Sequence, residues 1–79
     1  RRFKAEAAAV VRSVAAGRVA YADQFMGYGN LVIVDHGGGF YTLYANLVEM
    51  SAQVGSEVTA GTQVGVVTDY LHFEIRRDG

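Results

Sequence analysis

Short apolar runs separated by glycines dominate the middle of the chain. Residues 31–35 form a nearly continuous apolar run, which is typical of a strand buried on both faces. Residues 40–45 form a second run of strand length that is rich in aromatic side chains. Residues 37–39, between the two runs, are three glycines, and glycine adopts the positive φ angles of tight turns without steric cost. The pattern therefore predicts a β-hairpin over residues 31–45.

The end of the chain alternates between two kinds of side chain. Leu71, Phe73 and Ile75 occupy every second position, and polar or hydroxyl-bearing residues lie between them. Successive side chains of a strand point to opposite faces, so this segment is predicted to be an amphipathic strand. The core is expected to contain apolar residues of these three strands, namely Leu31, Ile33, Val34, Leu43, Leu71, Phe73 and Ile75.

The remaining segments favour an all-β fold, although one of them is ambiguous. Residues 5–16 are rich in alanine, which favours a helix, but their later valines favour a strand from about Val10. Residues 18–22 are predicted to be a short strand, and residues 23–30 the loop after it. Strands at short intervals without long helices are typical of a barrel or sandwich. We therefore predict a small, mainly antiparallel β-sheet or barrel-sandwich in a single domain, residues 1–79.

Composition excludes several classes of protein. The chain has 79 residues and a formal net charge of −1, too little to create a strong field for nucleic acids or anionic membranes. It contains no cysteine, which excludes a disulfide scaffold and a thiolate metal site. No segment approaches the roughly 20 apolar residues of a membrane span. Because the chain begins with Arg1 rather than Met, we expect it to be a piece of a longer protein.

Candidate catalytic residues are few. The two histidines, His36 and His72, belong to no His-x-x-x-Asp, His-Glu-x-x-His or His-x-His motif, and a catalytic zinc site needs three protein ligands. The serines lack the setting of a nucleophile elbow, and the carboxylates are scattered along the chain. The aromatic residues Phe40, Tyr41 and Tyr44 are compatible with a stacking surface for sugars or with cross-strand packing. His72 is compatible with a polar outer face or with a binding groove.

Three segments, in this order along the chain, resemble the LytM-type (lysostaphin-like) zinc metallopeptidases. The first is the hairpin of residues 27–47, GYGNLVIVDHGGGFYTLYANL. The second is the valine- and glycine-rich turn region of residues 54–61, and the third is LHFEIR at residues 71–76. Residues 16–22 also resemble the strand that precedes the hairpin in this family. The resemblance covers most of the chain and implies the family's duplicated hybrid β fold.

The same resemblance implies an inactive domain, because the positions that carry the family's chemistry are replaced. Active members have an upstream His-x-x-x-Asp motif that provides two zinc ligands, whereas residues 1–18 contain neither His nor Asp. The catalytic His of the family's Tyr-Ala-His-Leu segment corresponds to Asn46, and the first His of its final His-Leu-His corresponds to Tyr70. His72 alone matches a zinc-ligand position, which is too few for a zinc site. We therefore expect no enzyme activity, no catalytic residue, no metal and no cofactor.

Degenerate members of the family resemble the EnvC- and NlpD-like envelope proteins, which activate cell-wall amidases through the former active-site groove. The resemblance implies a regulator of cell-wall hydrolysis in the bacterial envelope, with a murein amidase or a cell-division component as its protein partner. Replacement of His by Tyr and Asn suits recognition, since such side chains still make contacts. The predicted partner-binding groove contains Thr42, Tyr44 and Asn46 from one strand and Tyr70, His72, Glu74 and Arg76 from another.

Three other functions remain open at this point. The domain is compatible with a peptidoglycan-binding or structural envelope module, which cosedimentation with murein sacculi distinguishes from an amidase regulator. It is also compatible with an active zinc endopeptidase whose other ligands are absent from this chain, which metal analysis tests. A lipoyl- or biotinyl-type carrier shares the Val-x-x-Gly turn rhythm, but it needs a lysine at a hairpin tip, and the lysine of this chain is Lys4.

Overall fold

The computed structural model describes residues 2–4 and 7–77, and within these residues the chain forms nine β-strands and no helix. Accordingly, no helix in the described part of the chain has the length and apolar composition to cross a membrane. The strands are β1 (Arg2–Lys4), β2 (Ala9–Arg12), β3 (Gly17–Phe25), β4 (Gly29–Gly37), β5 (Phe40–Leu47), β6 (Glu49–Met50), β7 (Glu57–Val58), β8 (Gln63–Val67) and β9 (Tyr70–Arg77).

The strands form two sheets in which all the described pairings are antiparallel. The larger sheet has six strands in the order β1-β9-β5-β4-β3-β7, and the smaller has three in the order β2-β8-β6. The larger sheet thus places the last long strand, β9, beside the central hairpin strand β5. The predicted all-β, mainly antiparallel fold is confirmed.

The central hairpin forms where the sequence predicts it. Strands β4 and β5 pair with Ile33 opposite Leu43 and Asp35 opposite Tyr41. The glycines of the turn, residues 37–39, have φ angles of 84°, 63° and 80°. These angles are strained for residues with a Cβ atom, so the glycine run allows the chain to reverse within three residues.

The main core lies between the two sheets. Val32 and Val34 of β4, Tyr44 of β5 and Val64 of β8 are completely or almost completely buried there. Burial of an aliphatic side chain of this size stabilises the fold by about 1.5–3 kcal/mol. A smaller cluster of Leu31, Leu43 and Ala45 covers the opposite face of the larger sheet. Strand β4 therefore has apolar contacts on both faces, which explains its uninterrupted apolar sequence.

The predicted core is confirmed in part. The prediction that Ile75 belongs to the core is wrong, because this residue is 66% exposed. Among the described residues, β1 pairs with β9 at residues 70–72, and the strands of the smaller sheet pack against β4 and β5, so the far end of β9 is uncovered. Of the other predicted residues, Leu31, Val34 and Leu43 are buried, and Ile33, Leu71 and Phe73 are half-buried.

Some of the strand boundaries predicted from the sequence agree with the structure, and others do not. The ambiguous segment near the start is a strand from Ala9, close to the predicted position. The predicted loop over residues 23–30 is wrong, since β3 continues to Phe25 and β4 begins at Gly29. Residues 23–25 of β3 are all exposed, so this end of the strand lacks the alternation of buried and exposed side chains by which a strand is identified from sequence. Asp78 and Gly79, whose residue types favour a turn, lie outside the described residues.

Candidate functional site

A polar groove lies on one face of the larger sheet, where β5, β9 and β1 meet. Its cavity has a volume of about 310 Å³ and is lined by Asn46, Tyr70, His72 and Glu74, with Arg2 and Tyr28 at its sides. Four of the seven residues predicted for the partner-binding groove thus meet at one surface, the polar groove.

Asn46 reaches the polar groove because the alternation of β5 is broken at this residue. The pairing of β4 with β5 shifts register between Asn30 and Val32, and Asn46 has a φ of 66° in the left-handed region. Such a bulge turns the following side chains to the other face, and asparagine tolerates this conformation better than most residues. The Asn46 side chain then donates its Nδ2–H to the carbonyl of Tyr70 across 2.8 Å. This bond joins the ends of β5 and β9.

A hydrogen-bonded network runs along β9 at the floor of the polar groove. The Nε2–H of His72 donates to Glu74 Oε2 across 2.6 Å, and the Nε–H of Arg76 donates to Glu74 Oε1 across 2.7 Å. An Nη2–H of Arg76 donates to the hydroxyl of Tyr28 across 3.1 Å. The residues at positions 72, 74 and 76 share one face because side chains alternate along a strand. The carboxylate of Glu74 thus holds the side chains of His72 and Arg76 in fixed positions.

The network changes the acidity of its charged groups. The hydrogen bond from His72, followed by that from Arg76, lowers the pKa of Glu74 from 4.5 to about 2. The same carboxylate raises the pKa of Arg76 above its ordinary value. Glu74 is therefore ionised and accepts hydrogen bonds at neutral pH, so it is not a candidate general acid there.

Aromatic contacts fix the walls of the polar groove. The rings of Tyr28 and His72 meet edge to face with their centroids 5.7 Å apart. The guanidinium of Arg2 lies 4.6 Å from the ring centroid of Tyr70. Arrangements of these two kinds are favourable because a ring has a negative face and a positive edge. Tyr70 therefore presents a supported aromatic surface to this groove.

Thr42 and Tyr44 do not lie at the polar groove, so their predicted placement is wrong. They are 5% and 1% exposed and face the core between the sheets, on the side of Phe73 and Ile75. The Thr42 hydroxyl donates to the Tyr44 hydroxyl across 2.8 Å, and the backbone N–H of Val14 donates to that same hydroxyl across 3.1 Å. These two residues are structural.

His36, which is half-buried, extends this chain of hydrogen bonds. Its Nε2 lies 2.7 Å from Thr42 Oγ1, and its Nδ1 lies 2.7 Å from the carbonyl oxygen of Ala16. The imidazole thus ties the end of β4 to the start of β3. These contacts give His36 a structural role.

Beside the polar groove lies an apolar pocket that the sequence did not predict as part of the site. It has a volume of about 400 Å³ on the same face of the sheet and is walled by Tyr21, Phe25, Tyr28, Ile33 and Tyr41. Tyr28 lines both cavities, and Arg76 lies at the edge of the pocket. Alternation within β3 and β4 is a signal for this face, but the sequence predicts a loop at Phe25 and Tyr28 and leaves Tyr41 open between a stacking surface and cross-strand packing.

The described residues offer little to a metal ion. No group of three or more His, Cys, Asp or Glu side chains is close enough together in residues 2–4 and 7–77 to hold one. His72 has a single carboxylate neighbour, Glu74, and that carboxylate already accepts hydrogen bonds from Arg76 and His72. A zinc site normally has three or four protein ligands.

The comparisons with known proteins agree with this geometry. The profile of peptidase family M23 matches residues 2–79. The murein hydrolase activator EnvC of Escherichia coli is 41% identical over 76 residues, which cover 87% of this chain and 18% of EnvC. The murein hydrolase activator NlpD of the same organism is 38% identical over 74 residues, which cover 85% of this chain and 20% of NlpD. This chain therefore spans about a fifth of the length of either activator.

A solved structure supports the fold. The catalytic domain of lysostaphin from Staphylococcus simulans matches with a TM-score of 0.89 at 22% identity, covering 99% of this chain and 65% of that domain. At this identity the likeness concerns the fold alone. Together with the family match over nearly the whole chain, it confirms the resemblance inferred from the sequence motifs. The chain belongs to peptidase family M23, as a LytM-type domain.

Proposed function

We propose that this domain is a catalytically inactive LytM-type module that binds a murein hydrolase, namely an amidase or another cell-division component, and activates it. The observation that carries the proposal is the state of the former metal position. By the family resemblance, His72 occupies a zinc-ligand position and Asn46 and Tyr70 occupy positions of catalytic histidines. In this structure the Nε2 of His72 is hydrogen-bonded to Glu74, and the side chain of Asn46 to the carbonyl of Tyr70. These substitutions remove the means of activating water, since zinc ligation and a nearby base are both needed.

The surface of the polar groove suits binding to a protein. Tyr70 in the polar groove, and Arg76 beside it at the edge of the apolar pocket, are of the residue types that are most frequent among interface hot spots, where truncation costs about 2 kcal/mol or more. Both are held in place, Arg76 by Glu74 and Tyr70 by the guanidinium of Arg2. Side chains that are ordered before binding lose less entropy when the partner arrives. The similarity to the activators EnvC and NlpD supports an envelope location and a regulatory role.

Activation of an amidase is the direct test. The domain is mixed with each murein amidase of its own organism, and release of dye from labelled sacculi is measured. We expect wild-type domain to increase the rate and Tyr70→Ala and Arg76→Ala to lose the increase while retaining the circular dichroism of the fold. Val54→Ala, an exposed position outside both cavities, is the matched control and should activate normally.

Two further measurements separate the remaining functions. Cosedimentation with sacculi in the absence of amidase, unchanged by the groove substitutions, would indicate a peptidoglycan-binding module instead. Elemental analysis of the purified domain should show no stoichiometric zinc. A full equivalent of zinc that disappears in His72→Ala would refute the proposal of inactivity.

A further inference from the structure

The face that carries the polar groove is divided into an apolar half and a basic half. Strands β3, β4 and β5, with the turn that joins β3 to β4, supply the apolar pocket, whose walls are Tyr21, Phe25, Tyr28, Ile33 and Tyr41. Among the described residues that line the apolar pocket, the one charged residue is Arg76. Strands β1 and β9 lie on the other side and carry three cationic side chains on this face, Arg2, Lys4 and Arg76, against the one carboxylate of Glu74.

Arg76 has unused hydrogen-bonding capacity at the boundary between the two halves. A guanidinium has five N–H groups, and here one donates to Glu74 and one to Tyr28. Three N–H groups, on Nη1 and Nη2, are left without a hydrogen bond to the described residues. The side chain is 59% exposed, so this edge of the fork is accessible. A guanidinium edge of this kind binds a carboxylate with two parallel hydrogen bonds.

The apolar pocket favours an apolar side chain over a sugar. A sugar site needs several free polar groups to bind hydroxyls, but two of the tyrosine hydroxyls here are already engaged. Tyr21 donates its hydroxyl hydrogen to the carbonyl of Gln24 across 2.7 Å, and Tyr28 accepts a hydrogen bond from Arg76. The ring of Phe25 packs against both tyrosines, with centroid distances of 5.9 and 5.8 Å. The walls are thus supported before any ligand binds.

Charge also sets the direction in which a ligand binds. Asp23 lies on the same face as Tyr21 by alternation along β3, at the side of the sheet opposite to β9. It would repel a ligand carboxylate from that side, while Arg76, Arg2 and Lys4 attract one from the other. The two halves are therefore complementary to a segment in which an apolar residue and an acidic residue are neighbours.

From this arrangement we infer that the protein partner presents an apolar side chain to the pocket walled by Tyr21, Tyr28 and Tyr41, with an adjacent carboxylate bound by the free edge of Arg76. The inference rests on the proposed function, because it specifies the chemistry of the partner that the domain recognises. Arg76 is then a specificity-determining residue, and the apolar pocket is a second part of the interface beside the polar groove.

A pair of small probes tests the chemistry without knowledge of the partner. The chain is labelled with ¹⁵N and titrated with 3-phenylpropionate and, separately, with its amide, 3-phenylpropanamide. We expect the acid to bind about tenfold more tightly than the amide, as one charge-assisted bidentate contact requires. The shift changes should include Ile33, Tyr41 and the Arg76 Nε–H. N-acetylglucosamine serves as the sugar probe and should leave these resonances unchanged.

Matched variants assign the preference to one residue. Arg76→Gln should abolish the difference between acid and amide, and Arg76→Lys should retain part of it. Arg77→Gln is the control, since that neighbouring guanidinium lies on the opposite face, 5.2 Å from the ring centroid of Phe40, and the preference should survive. Dispersed amide spectra establish that each variant is folded.

The outcomes distinguish this inference from the proposed function. Equal affinity for acid and amide, an equal effect of Arg77→Gln, or binding of the sugar probe in the pocket would overturn the inference, even if an amidase is activated. A clear preference for the acid that depends on Arg76 supports it, even if no amidase binds and the proposed function fails.

Discussion

Replacement of Tyr44 by phenylalanine tests whether the buried hydrogen bonds of this residue stabilise the domain. The substitution removes one oxygen atom and keeps the ring, which is 1% exposed and packs against Phe73 with a centroid distance of 5.5 Å. Without the hydroxyl, the backbone N–H of Val14 and the hydroxyl of Thr42 each lose a partner. Thr42 still has a contact with His36, so the penalty for this residue is partly relieved.

The expected loss of stability follows from the number of bonds broken. Each lost hydrogen bond costs about 1 kcal/mol, or more where a buried group is left without a partner. Because one of the two groups keeps another partner, we expect Tyr44→Phe to lower the free energy of unfolding by about 1–2 kcal/mol. For a domain of this size, each 1 kcal/mol corresponds to roughly 4–8 °C in Tm.

The matched control is Tyr41→Phe in the same strand. Tyr41 lies on the other face of the sheet, half-buried at the apolar pocket. Urea unfolding followed by circular dichroism gives the free energies of the wild type and both variants. If Tyr44→Phe is as stable as Tyr41→Phe within about 0.3 kcal/mol, the buried hydrogen bonds of Tyr44 do not stabilise the domain.

Two further predictions concern the polar groove. Asn46→Gly keeps the φ of 66° and loses the side-chain hydrogen bond to Tyr70, so it should lower the free energy of unfolding by about 1 kcal/mol. Asn46→Val loses the same bond and adds backbone strain of about 1–3 kcal/mol, so it should lower the free energy of unfolding further. If the urea midpoints show Asn46→Val to be more stable than Asn46→Gly, the left-handed conformation at the bulge is not what determines the residue at this position. The lowered pKa of Glu74 predicts a contribution to stability that is present above pH 4.5 and lost as the pH falls through about 2. Because solvent screens the network, this contribution should be about 1 kcal/mol, and the difference in stability between wild type and Glu74→Gln should shrink between pH 5 and pH 2.

Local patterns in the sequence were sufficient for the framework of the fold. The glycines at residues 37–39 and the two apolar runs beside them predicted the central hairpin, because turn geometry and strand alternation depend on near neighbours in the chain. Burial of Leu31, Val34 and Leu43 followed from the same pattern. The family was also evident from sequence, since its motifs are short and keep their order. The partner-binding role of the groove stays a prediction.

Tertiary structure decided which side chains share a surface. Simple alternation put Asn46 with Thr42 and Tyr44, but the bulge at Asn46 turned it towards Tyr70 and left the other two in the core. Ile75 is exposed because neighbouring strands end before they cover it, and no pattern within its own strand reveals where its neighbours end. The contact of Arg76 with Tyr28 joins residues 48 positions apart, so the boundary of the apolar pocket exists only once β9 has packed beside β5. Alternation is a property of one strand, whereas register, bulges and sheet edges depend on which strands pair and where each pairing stops.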